Sequence, residues 1–260
     1  MTEFKSLPKE EDRRRAILVL SNTDVEDFIE KPGGYDIIQN RQISLLDIST
    51  QEKDNLVDKL REDSNLLNPG NLLIQSPYNP SEYKPVDQAY SSFSLEKFYH
   101  FTTLCGYLGA TEVLIEQIEI ETKNKELLFE GTLEALQSDG ELAVKKGNIG
   151  EISKFIQLKH EFYGGKPNID EAEAYLGQYR LRGDISMKSL IDQRKFGGLK
   201  SREMILALSD NVVNTLEIVT DINVPIYTKL KAKIDRVKQE SYSFTMKINV
   251  KFSDELISFL

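Results

Sequence analysis

The chain has 260 residues, 40% of them hydrophobic and 29% charged, which suffices for one large domain or two small ones with a proper core. Its formal charge of −9 argues against a main role in gripping nucleic acid, because phosphate contacts supply most of that affinity. A lone cysteine, Cys105, leaves no internal disulfide framework and suits a reducing, cytoplasmic setting, and no run approaches the ~20 apolar residues of a membrane-spanning helix.

Residues 1–15 are charged and read as a tail or arm. Arg13-Arg14-Arg15 precedes an apolar run, but 16–20 is too short for the core of a secretory signal and reads as a strand. Ser21-Asn22-Thr23-Asp24 offers helix caps ahead of Val25, Phe28 and Ile29, and Lys31-Pro32-Gly33-Gly34 ends that element. Ser49 with Glu52 predicts a capping box, followed by a helix with Leu56, Val57 and Leu60 on one face. Pro69-Gly70, Pro77, Pro80 and Pro85 then break the pattern. The expected organisation is a small, mainly helical subdomain with its arm over 1–68, a Pro-rich connection at 69–90, and a main α+β domain over 91–260.

The main domain opens on a helix whose stripe is Leu95, Phe98, Phe101, Cys105 and Leu108, ended by Gly109. A hairpin follows, with arms at 111–121 and 127–133 and a turn at Lys123-Asn124-Lys125. A strand is expected at 155–163, closed by Gly164-Gly165. Two helices come next, one from about Ile169 to Gly183, the other capped by Asp184 and running to about Lys195 before Gly197-Gly198. Met204, Leu206 and Leu208 predict a short strand, and 211–221 a helix. The chain closes on a second long hairpin, with arms at 226–234 and 241–252. The second arm alternates cleanly, Tyr242, Phe244, Met246, Ile248, Val250 and Phe252 against Ser241, Ser243, Thr245, Lys247, Asn249 and Lys251. The expected fold class is α+β, an antiparallel sheet with long hairpins and helices packed on one face.

Chemistry-bearing residues are few. His100, His160 and Cys105 are the whole supply of histidine and cysteine. His100 and Cys105 lie five residues apart on one helix, so they point in different directions and cannot share a metal through it. His160 reads as a core histidine and Cys105 as a buried, inert thiol. No phosphate-binding loop occurs, so no cofactor is assigned. Three Gly-Gly pairs lie beside an aromatic residue, with Tyr35, Tyr163 and Phe196, and each has a lysine nearby, Lys31, Lys166 and Lys200. Turn chemistry accounts for them, although glycine amides with a lysine also suit an anion. Glu121-Thr122-Lys123 resembles the E-x-K half of a restriction-type nuclease metal site, but it runs into a hairpin turn.

Charge is segregated between the two hairpins. The first carries Glu112, Glu116, Glu119, Glu121, Glu126, Glu130 and Glu134; the last carries Lys229, Lys231, Lys233, Lys247 and Lys251. One reading is a sheet with a wet face. Another is a partner-binding surface formed by those five lysines. The repeated order of a helix and a long hairpin, at 92–135 and 211–252, also resembles in architecture the gasdermin and perforin pore-formers, which release two such hairpins. The leading expectation is a non-enzymatic cytosolic interaction protein, an adaptor, regulator or subunit of a larger complex with a protein partner. A pore-forming effector and a metal-dependent nuclease are the alternatives.

Overall fold

Ala16–Leu20 is five consecutive buried apolar residues, the pattern of a strand covered on both faces. This strand, β1, pairs in parallel with β2 (Ile43–Asp47) and antiparallel with β3 (Leu72–Gln75). β4 (Tyr83–Pro85) completes a four-stranded sheet of order β2-β1-β3-β4. The structure is a computed structural model. It describes residues 7–21, 24–25, 39–49, 54–122, 125–130, 159–220, 228–239 and 243–253. The chain divides into two units, the first holding 1–90 and 211–241, the second 91–210 and 242–260.

In the first unit, helix α1 (Asn55–Glu62) buries Leu56, Val57 and Leu60, the face expected from their spacing. Its cap differs from the expectation. The Asp54 side chain accepts from the Leu56 N–H at 2.7 Å, whereas Ser49 turns back to Asp47. An Asp immediately before the helix satisfies an orphan N–H directly, which the more distant Ser49 does not reach. Leu7 joins Ile17, Val19, Leu46, Leu60, Leu73 and Tyr83 in one core cluster. The described part of 1–15 is therefore docked rather than a free arm. Its backbone is pinned, since the Tyr83 hydroxyl donates to the Arg14 carbonyl and Ser44 to that of Arg13. Burial pushes the Tyr83 phenol up to about 12.

The subdomain expected to be mainly helical is thus built on a sheet, and 69–90 is not an irregular connection. It carries β3, β4 and the start of helix α2 (Val86–Tyr107). Proline is tolerated there because Pro85 ends a strand at the sheet edge and Pro77 and Pro80 lie in the loop before it. The helix expected after Asp24 lies mostly outside the described residues.

The second unit is organised by α2 and a five-stranded sheet. Phe98, Phe101, Cys105 and Leu108 are fully buried, as their stripe predicts, but so are Phe93, Ser94 and Leu104. A helix covered on most sides buries more than one stripe, which is how His100 and Cys105 are both buried while pointing apart. Burial raises the Cys105 thiol far above its ordinary value. Gly109 turns the chain at the helix end with φ +72°, and a Cβ there would strike the Gly165 carbonyl.

β5 (Ala110–Thr122) and β6 (Lys125–Glu130) form the expected hairpin, its tip at 123–124 outside the described residues. β5 also pairs with β7 (Lys159–Glu161) and β9 (Ser243–Phe252), and β9 with β8 (Ser201–Ala207), all antiparallel. β7 is the described part of the strand expected at 155–163. Phe244, Met246, Ile248, Val250 and Phe252 are buried, while Thr245, Lys247 and Asn249 are half-buried and Lys251 is exposed, as the alternation predicts. Helices α3 (Ile169–Gln178) and α4 (Ile185–Lys195) follow β7. α4 is capped by Asp184, whose side chain accepts from the Met187 N–H at 3.0 Å. Arg194 of α4 stacks over Phe252 at 4.2 Å, and Phe98 of α2 lies 5.4 Å from the ring of His160. Both contacts place helices on the buried face of the sheet. The fold is α+β with mostly antiparallel sheets.

The closing hairpin is corrected. Its first arm is a helix: α5 (Asp210–Thr220) leads to α6 (Thr228–Gln239), and only the second arm is a strand. Lys229, Lys231 and Lys233 alternate with Leu230, Ala232 and Ile234, which imitates a strand. The buried residues are Leu230, Ile234 and Val237, at helical spacing, and Leu, Ala, Lys, Arg and Gln all favour helix. The second helix-and-hairpin copy at 211–252 therefore does not form.

Candidate functional site

The five lysines singled out from the sequence do not line one hairpin. Lys229, Lys231 and Lys233 belong to α6 in the first unit, Lys247 and Lys251 to β9 in the second. Lys231 is exposed, and Lys233 pairs with Asp87 at 3.0 Å. On β9 the lysines meet the acidic strand. Lys251 lies 2.7 Å from Glu112, its register neighbour on β5, and Lys247 lies 3.3 Å from both Glu116 and Glu203. Lys159 adds bonds of 2.9 Å to Glu112 and 2.6 Å to Glu161. Basic β9 and acidic β5 are adjacent, so the charges that read as two separate surfaces compensate one another across the wet face. Hydrogen bonds from Lys251 and Lys159 hold the Glu112 carboxyl below its usual range. The same ladder raises Lys247, through Glu116 and Glu203, and Lys159 to about 12, through Glu161 and Glu112.

Glu121 of the nuclease-like fragment sits on β5 opposite Glu126 and Ser243, and Lys123 lies outside the described residues. Among the described residues no group of three or more His, Cys, Asp and Glu side chains is placed to hold a metal. No helix among them is long and apolar enough to cross a membrane.

A cluster that the sequence reading did not assemble lies between α2 and α3. Tyr175 and Tyr179, one turn apart on α3, flank His100 of α2 with ring centroids 5.6 Å and 4.2 Å away. Tyr107, at the end of α2, lies 5.4 Å from Tyr175, and the two α3 tyrosines lie 4.7 Å apart. His100 Nδ1 and the Tyr175 hydroxyl share a hydrogen bond of 2.7 Å, and Glu96 lies 3.7 Å from His100 Nε2. His100 is buried, whereas the three tyrosines are half-buried. Burial raises the Tyr175 phenol. The acidic groups on this side are Glu171, exposed and one turn before Tyr175 on α3, and Glu96, half-buried on α2. Asn168 sets the start of α3, its side chain accepting from Glu171 N–H at 3.3 Å, and its own N–H donates to the Tyr107 carbonyl at 2.8 Å. The i, i+4 spacings Glu96–His100 and Tyr175–Tyr179 are visible in the sequence, but nothing local in it announces that the two helices meet.

Behind this cluster the second unit buries two cations. Lys97 Nζ lies 2.8 Å from the Asp184 carboxylate, both nearly solvent-free, so the residue capping α4 is also the counter-ion of α2. Arg194 donates from Nε to the Leu108 carbonyl and from Nη1 to that of Leu199, each at 3.1 Å. The first of these places its charge at the carbonyl end of α2, where a helix dipole favours a cation. These contacts fix α2, and with it the tyrosine rim. The chain matches no protein-family model, no curated protein and no solved structure.

Proposed function

We propose that this chain is a cytosolic interaction protein, an adaptor, regulator or subunit of a larger complex, and that it works by binding a protein partner. The observation that supports this reading is the tyrosine surface of α2 and α3. Tyrosine supplies large, rigid, amphipathic contact area at little entropic cost and is enriched where interfaces concentrate their energy. Here two such rings pack on a buried histidine and a third packs on one of them, so little freedom remains to be lost on binding. Glu171 and Glu96 beside the rings select a basic partner surface and steer its approach. Arginine suits it best, because guanidinium stacks on aromatic faces and bonds carboxylates in a planar fork.

Capture from host extract with the tagged chain tests the reading. A partner retained by the wild type and lost with the Tyr175→Ala/Tyr179→Ala variant, at unchanged circular dichroism, is the expected outcome. Equal recovery by both proteins would contradict it.

A further inference from the structure

α3 and α4 fold back on one another across the turn 179–184. Two hydrogen bonds close the end of α3, from Leu181 N–H to the Leu176 carbonyl at 2.8 Å and from Arg180 N–H to that of Gly177 at 3.4 Å, with Arg180 at φ +57°. That pair of bonds is a common way to end a helix, and Leu176 and Leu181 at its two ends are both buried. Asp184 then caps α4 and binds Lys97, so the turn is anchored on both sides. At the other end Lys195 reaches Glu173 at 3.7 Å, which sets the last turn of α4 beside the first half of α3.

Between these helices opens a cleft of about 260 Å³, lined by Glu173, Leu176, Arg182, Lys188, Ile191 and Asp192. Leu176 and Ile191 are buried and make an apolar floor, while the four charged residues are exposed and make the walls. The antiparallel run sorts the charges. Arg182 and Lys188 lie at the turn end, and Glu173 and Asp192 lie about a helical turn beyond them. Opposite charges so placed ordinarily neutralise one another, and Lys188 and Asp192 stand at i, i+4 on one helix. Yet the side chains of Arg182, Lys188 and Asp192 take no ion pair or hydrogen bond from any described residue. The Arg182 guanidinium is nevertheless seated. A Cβ at Gly177 would lie 2.5 Å from its Nη2, 2.7 Å from Nε and 2.8 Å from Cζ, so it rests against α3 where only glycine leaves room. Glycine is unfavourable inside a helix, and here it gives the cation its place.

We propose that this cleft binds a free aliphatic amino acid, with leucine as the type. The carboxylate lies between Arg182 and Lys188, the ammonium lies at Asp192, and the side chain covers Leu176 and Ile191. Glu173 already holds Lys195, so it is the secondary partner of the ammonium. A simple anion at the cationic end would leave the carboxylates unanswered, and a simple cation would leave Arg182 and Lys188 so; a zwitterion satisfies both ends with charge-assisted bonds. The volume falls below the ~300 Å³ at which pockets for drug-sized ligands begin, which suits one residue rather than a peptide. None of these six residues belongs to the tyrosine surface, so the proposal stands or falls apart from it.

Isothermal titration with three probes tests it: L-leucine, N-acetyl-L-leucine, which lacks the ammonium, and L-leucinamide, which lacks the carboxylate. The wild type should bind L-leucine saturably at one site and each of the other two at least about ten-fold more weakly, the cost of one lost charge-assisted bond. Arg182→Ala and Asp192→Asn should each weaken L-leucine by about ten-fold or more, with unchanged circular dichroism, because both side chains are exposed. Gly177→Ala should weaken it as well by displacing the guanidinium, although alanine favours the helix. Absence of saturable L-leucine binding by the wild type would overturn the proposal and leave a solvated groove. Equal affinity for the three probes, or affinity for L-leucine unchanged in all three variants, would overturn it too.

Discussion

Asp184 carries two duties at once. It caps α4 through the Met187 N–H and neutralises Lys97 at 2.8 Å in a nearly dry setting. Asp184→Ala should therefore cost about 3–5 kcal/mol in urea unfolding, the range for stranding a buried charge, rather than the ~1 kcal/mol of a lost cap alone. Adding Lys97→Met to that variant should recover most of the loss, because an apolar side chain of similar length no longer needs a counter-ion. No local pattern announces this pair, since its members come from distant parts of the sequence. The Asp184 cap was legible; its partner was not. Glu112 gives the pH dependence. Lys251 and Lys159 lower its folded pKa, so its contribution is complete above the unfolded value of about 4.3 and is lost as pH falls through the folded value. Urea unfolding of wild type and Glu112→Gln should differ most near neutral pH, and the difference should shrink as pH drops below about 4.3.

Among the elements, β9 was read correctly from alternation alone and α6 was misread for the same reason. A strand buried on one face repeats every second residue, and Phe244 to Phe252 sustain that repeat through five buried residues. The 229–234 segment sustains it only by accident of composition, and Val237 breaks the repeat toward helical spacing. Phe244→Ala or Ile248→Ala should cost about 2–5 kcal/mol, whereas Thr245→Ala on the wet face should stay near 0.5 kcal/mol. Equal costs at both faces, measured by thermal or urea unfolding, would show a sheet covered on both sides. The segregation of glutamates on β5 and lysines on β9 was visible in the sequence, but its meaning depended on adjacency. Once the strands pair in register, Glu112 and Lys251 become neighbours and the charge pattern stabilises the sheet.

At the scale of the molecule, the chain returns on itself. Residues 211–241 belong with 1–90, and β9 then re-enters the second unit beside β5. A linear reading places boundaries where prolines cluster, and at 69–90 those prolines mark loops and an edge strand within the first unit's sheet. The α+β class was legible because both periodicities are strong. The candidate site was not, because it arises where α2 and α3 meet, and helix packing partners are not written in local spacing. A photo-crosslinking amino acid placed at Tyr179 tests the proposed partner surface most directly, with the same group at Ile205 on the wet face as control. In host extract the account predicts a discrete crosslinked protein from position 179 and none from 205. Crosslinking at 205 with none at 179 would contradict it.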